Sequence, residues 1–185
     1  GWRPSEQELR PLLEKTSADP AALREAIAKG TVEQRARLEK VQPLLAGGDP
    51  VRGRAVFFGK KVACSACHAI GAEGGRIGPD LTKVGAIRSG RDLLESIVVP
   101  SSTFAQGYEP FLVATKDGDV LGGLIARQDT DAIVLKDAAG AETRVRRDRI
   151  RDLKRGEKSI MPEGLERNLA EAEFRDLLAF LQGLK

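Results

Sequence analysis

Both cysteines and the only histidine of the chain stand in one short run, Cys64-Ser65-Ala66-Cys67-His68. Two cysteines are too few for a disulfide framework, so their spacing has to be read as a local motif. On its N-terminal side the run is preceded by a helical pattern opened by Asp49-Pro50, an N-cap followed by a proline in the first turn. On its C-terminal side lies a glycine-rich loop running from Gly71 to Gly78. The motif is therefore expected on a helical turn between a helix and a loop.

C-x-x-C-H has a specific mechanical logic. Thiols three positions apart can each form a thioether across a vinyl group on one edge of a single haem, while the adjacent His68 reaches the iron from the same side. Competing readings are weaker. A structural zinc takes four Cys or His ligands, and the chain holds three in all, adjacent to one another. A thioredoxin-type pair belongs at the end of a strand in a βαβ unit, whereas the flanks here read as helix and glycine loop. A surface pair without function, or a simple disulfide, is the plainest alternative.

The rest of the chain falls into segments. Residues 1–46 read as three short helices: a capping box at Ser5 and Glu8, a cap and proline at Asp19-Pro20 with Gly30 as the stop, and a second capping box at Thr31 and Gln34. The last of these carries Leu38, Val41 and Leu45 on one face. Helices are expected at about 50–60 and 91–98, the second ended by Pro100, and a terminal amphipathic helix from about Leu169 places Phe174, Leu177, Leu178 and Leu181 on one face. Between them the period changes. "PFLVAT", "DVLGGLIARQ", "AIVLKD", "AETRVRR" and "RIRDLK" are short β-type runs separated by turn chemistry at "KDGD", "QDTD" and "DAAG". Five strands in so short a stretch imply a small barrel or curled sheet.

Taken together, "GDPVRGRAVFF", "CSACHAIGAEGGRIGPDL", a late "MP" and "EFRDLLAFLQGL" resemble a class I c-type cytochrome domain. The strand-rich insertion before the methionine is similar to the haem-binding domain found at the C-terminal end of large multidomain proteins in planctomycete and verrucomicrobial bacteria. The resemblance implies an α+β chain: a mainly α cytochrome c fold at residues 47–107 and 159–185, an inserted small β-barrel-like module at 108–158, and a helical extension or end of an upstream domain at 1–46. It implies that Gly53 and Phe57 of the first helix cross Leu177 and Phe180 of the last. It further implies one covalently attached haem c on Cys64 and Cys67, iron ligation by His68 with the Pro79 carbonyl accepting from its Nδ1, and Met161 as the second axial ligand. The link from Phe57 to Cys64 is longer than the family's usual one. The insertion is expected to leave and return at nearby points, beside the haem edge and without rebuilding the pocket.

Met161 is the only methionine, and no second histidine offers an alternative strong ligand. A lone methionine is usually a core filler, but "KSIMPEGL" is a polar, turn-like setting with little to fill. A His/Met iron leaves no position for substrate, so the expected role is one-electron outer-sphere transfer with transiently docking redox partners, and not enzymatic turnover. An open sixth position would point instead to ligand binding or sensing. Residues 51–107 carry a net charge of +4 within a chain of +3, a bias that can steer an acidic partner. The run "RVRRDRIRDLKR" is basic, yet Asp148 and Asp152 interrupt it and Val145, Ile150 and Leu153 read as core-facing, which argues against nucleic acid. No apolar run is long enough for a membrane span. The resemblance implies export to the periplasm, as a module of a larger oxidoreductase or as an electron shuttle.

Overall fold

The computed structural model describes residues 20–185. The expected helix near Ser5 and the Asp19 cap lie outside the described residues. Helix α1, Pro20–Val41, runs unbroken through Gly30 and Thr31, where the sequence suggests a stop and a restart. A glycine inside a helix costs only about 1 kcal/mol relative to alanine, too little to break one of this length. The chain divides into compact units after Lys40, and the 3-10 turn Gln42–Leu45 goes with the second. Its Leu44 is buried, and the carbonyl of Leu45 accepts from Gln182 Nε2 at 3.2 Å.

Within Val41–Lys185 the helical part consists of α2 (Pro50–Phe58), α3 (Cys64–Cys67), α4 (Val84–Ile87), α5 (Gly90–Val98) and α6 (Glu171–Gly183). Asp49 caps α2 as the sequence implies, its carboxylate accepting from the amides of Val51 and Arg52, with Pro50 in the first turn. A capping box between Ser89 and Asp92 starts α5, whose Leu93, Leu94, Ile97 and Val98 are buried. Phe174, Leu177, Leu178, Phe180 and Leu181 bury one broad face of α6.

The crossing of α2 and α6 organises this core. A Cβ on Gly53 would stand 1.9 Å from the carbonyl oxygen of Asp176, so only glycine allows the backbones this close. Phe57 packs on Phe180 with ring centroids 5.8 Å apart. Asp176, 5% exposed, fastens the crossing from the side. Its Oδ1 accepts from the amide of Asp49 at 2.7 Å, and its Oδ2 accepts from Arg52 Nε at 2.6 Å. The Arg52 bond, followed by the Asp49 amide, holds the carboxyl of Asp176 below the usual carboxylate range.

The inserted strands are β3 (Pro110–Thr115), β4 (Val120–Gln128), β5 (Ala132–Lys136), β6 (Glu142–Arg146) and β7 (Ile150–Arg155), after a two-residue hairpin of β1 (Ala69–Ile70) and β2 (Glu73–Gly74). All five follow the runs read from the sequence. They form one antiparallel sheet in the order β6-β5-β4-β3-β7. The barrel-like expectation is not met, because the sheet is open: β6 and β7 are its two edges, joined by the 3-10 turn Arg147–Arg149. Strand β7 buries almost nothing beyond Ile150 and exposes Arg151, Lys154 and Arg155, charges that discourage further pairing. Leu153, expected in the core, is 37% exposed for the same reason. The sheet's own core is Val113, Ile133, Leu135 and Val145, with Leu121, Ile125 and Ile150 packed against them.

Two outcomes test the crossing. Gly53→Ala forces the helices apart and lowers stability by about 3 kcal/mol, the upper end of ordinary overpacking, measured by denaturant unfolding. Asp176 has a lowered folded pKa, so its contribution is fully present above its unfolded value of about 3.9 and is lost as pH falls through the folded value. Asp176→Asn is therefore less stable at neutral pH and shows a shallower loss of stability below about pH 4 in an acid titration followed by circular dichroism.

Candidate functional site

The short helix α3 presents the motif. Ala63 enters it with φ 47°, a left-handed turn that reverses the chain after "FGKKV". The glycine loop then folds back onto the same turn: the amides of Ile77 and Gly78 donate to the carbonyl of Cys67 at 3.0 and 2.8 Å, and that of Gly75 to the carbonyl of Ser65 at 2.8 Å. The loop composition has a steric cause. A Cβ at Gly75 would meet the Ala66 carbonyl at 2.0 Å, and one at Gly78 would meet His68 Cε1 at 2.5 Å.

His68 Nδ1 lies 2.9 Å from the carbonyl oxygen of Pro79. A carbonyl only accepts, so Nδ1 carries the proton and Nε2 keeps its lone pair. Burial lowers the pKa of the ring, partly opposed by the Pro79 bond, which keeps the imidazole neutral near pH 7. The two cysteines form no disulfide with each other. Burial pushes Cys64 up to about 11, against its own backbone hydrogen bond and with a smaller push from Cys67. A redox-active C-x-x-C needs the opposite shift, toward the thiolate. Among the described residues no group of three or more His, Cys, Asp or Glu side chains is placed to hold a metal ion.

A cavity of about 530 Å³ opens beside the motif, lined by Cys64, Cys67, His68, Pro79 and Met161 among mostly apolar neighbours. A smaller recess of about 50 Å³ adjoins it, with Phe57, His68, Met161 and Leu177 in its walls. The five side groups singled out in the sequence thus meet on one space. The half-buried Met161 reaches it from a loop fixed by two hydrogen bonds: its amide donates to Ser159 Oγ at 3.1 Å, and the amide of Ser159 donates to Ser101 Oγ at 3.1 Å. The second bond, with the Gly156 amide donating to the Pro110 carbonyl at 2.8 Å, ties the two ends of the inserted sheet together. Excising the insertion would therefore leave the connection between α5 and Met161 short.

Three contributors to the site were missed in the sequence. Glu166, on the 3-10 turn Leu165–Asn168, places a side chain only 8% exposed in the wall of the recess that Met161 and His68 share. Its place two residues after a glycine in a polar stretch gives no sign of burial. Leu124 and Ala138 of the inserted module line the larger cavity. The insertion, expected to stand beside the haem edge without rebuilding the pocket, thus contributes residues to the cavity wall.

The residues fit a covalently held haem: two cysteines on one turn, an imidazole aimed by a carbonyl, a thioether lining the same space, and glycine at Gly78 where any side chain would press on the His68 ring. No helix among the described residues is long and apolar enough to cross a membrane. No curated protein matches the chain. Residues 50–135, from the start of α2 to Leu135 within β5, match the family model described as Cytochrome c. That match supports a class I c-type cytochrome domain, with the covalently bound haem c and haem-based electron transfer that such a domain implies.

Proposed function

We propose that this chain carries a mono-haem c-type cytochrome domain in which Cys64 and Cys67 hold the haem and His68 and Met161 ligate its iron. The observation that carries the proposal is the convergence of these four side chains on one largely apolar cavity, with His68 oriented by Pro79. When bound, the haem supplies a one-electron couple. The protein's residues do the rest. Cys64 and Cys67 anchor one edge, so the His68 bond cannot drift. Pro79 fixes the tautomer and plane of the imidazole, and a hydrogen-bonded partner of this kind raises ligand basicity. Met161 offers a soft sulfur that favours the reduced metal, and its loop is held by Ser159 and Ser101 so that the thioether need not move between oxidation states. Phe57, Leu177 and Leu181 exclude water from the recess. With His68 and Met161 both holding the metal there would be no place for substrate, and the chemistry supplied would be outer-sphere electron transfer.

The same reading places the domain in the periplasm, as a module of a larger oxidoreductase or an electron shuttle, meeting its redox partners by brief docking. The net charge of +4 on residues 51–107 favours partners with an acidic face.

The test is the absorption spectrum of the purified holoprotein, oxidised and reduced, with carbon monoxide added to the reduced form. The expected result is a thioether-to-ferric-iron band and no response to the gas in the wild type, with Met161→Ala losing the band and binding carbon monoxide. Ready binding by the wild type would move the protein to the ligand-binding class, with an open or labile sixth position.

A further inference from the structure

Side chains on a strand alternate between faces. In β4, Leu121 and Ile125 point into the inserted sheet's own core, so Leu124 points out of the other face. It is nevertheless only 4% exposed. The outer face of a single sheet would ordinarily be solvated there, and what lies on that side is the cavity beside Cys64 and His68, which Leu124 lines. Ala138, in the turn between β5 and β6, lines the same cavity and is exposed at its rim. Two residues on, Gly140 sits at φ 81° close against Ile77: a Cβ there would stand 3.2 Å from Ile77 Cδ1, tighter than ordinary contact. Ile77 belongs to the loop that orients His68, its amide bonded to the carbonyl of Cys67.

From this arrangement we infer that the inserted sheet is a wall of the haem pocket: Leu124 seals one side and the β5–β6 turn at Ala138 stands at the rim, so the insertion sets how much water and which charges the haem edge meets. The inference rests on the haem reading above and adds a role for the insertion. Solvent exposure and nearby charge are two of the levers by which a protein sets a haem's reduction potential. A charge placed at Ala138 stands at the cavity wall, whereas the same charge at an exposed position outside that wall meets more screening by solvent.

The experiment uses paired substitutions that differ only in sign. Ala138→Lys and Ala138→Glu are compared with Ala126→Lys and Ala126→Glu, an exposed position in β4 that is absent from the cavity wall. All four are prepared as holoprotein at low ionic strength, and covalent haem is first verified by the alkaline pyridine haemochrome spectrum. Spectroelectrochemical titration should give Ala138→Lys a higher potential than wild type and Ala138→Glu a lower one, with a smaller separation for the Ala126 pair. Equal separations at the two positions overturn the wall. Because Ala138 is exposed in a turn, both charges are accommodated without repacking; should one variant fail to retain haem, its partner's displacement from wild type, set against the same charge at Ala126, decides the same question. Absence of covalent haem in the wild type would instead remove the haem reading itself, an outcome the haemochrome step separates from failure of the wall.

Discussion

Everything in the cytochrome-like core depends on how closely α2 and α6 approach. Gly53 removes the side chain that would keep them apart, and Asp176 converts the contact into a directional joint by accepting from both the backbone at Asp49 and the guanidinium of Arg52. Removing Arg52 leaves the buried Asp176 carboxylate short of a partner, whereas Arg52 itself is largely exposed. The joint fixes Phe57 against Phe180 and brings Leu177 and Leu181 into the walls of the recess. The lining of the site is thus a consequence of one glycine and one carboxylate.

The inserted sheet solves a different problem. A long excursion between α5 and Met161 would leave the thioether on a loose connection unless its ends were pinned. Ser101 to Ser159 and Pro110 to Gly156 supply the pins. The loop-closure cost of the excursion grows only slowly with its length, so once the ends are held the sheet can be of almost any size without disturbing Met161. The open β6–β7 side and the charged face of β7 let this module carry its own core without becoming an adhesive edge.

Much of this was legible in the sequence because the signals are local. Asp49-Pro50, Cys64 to His68 and the five short β-type runs each announce themselves within a few residues. Local signals also misled: Gly30 with Thr31 and Gln34 looks like a helix break, yet the backbone of α1 runs through it because the surrounding residues outweigh one glycine. Asp176 carries no such mark. It looks like one more polar residue on an amphipathic helix until Arg52, far away in the chain, is folded against it.

Leu124 is the more telling omission. The run "DVLGGLIARQ" shows two apolar residues side by side, Leu124 and Ile125, and alternation cannot say which faces the sheet's core and which is spare. A shift of register between Ile125 and Arg127 further blurs the period. Only the fold separates the two: Ile125 packs on the sheet's interior, and Leu124 is buried on the opposite face, where it lines the cavity beside Cys64 and His68. A strand buried on both faces is the mark of a sheet with neighbours on both sides. For an inserted module it implies that the insertion was fitted to its host, and that its sequence is constrained on the host-facing side as tightly as on its own.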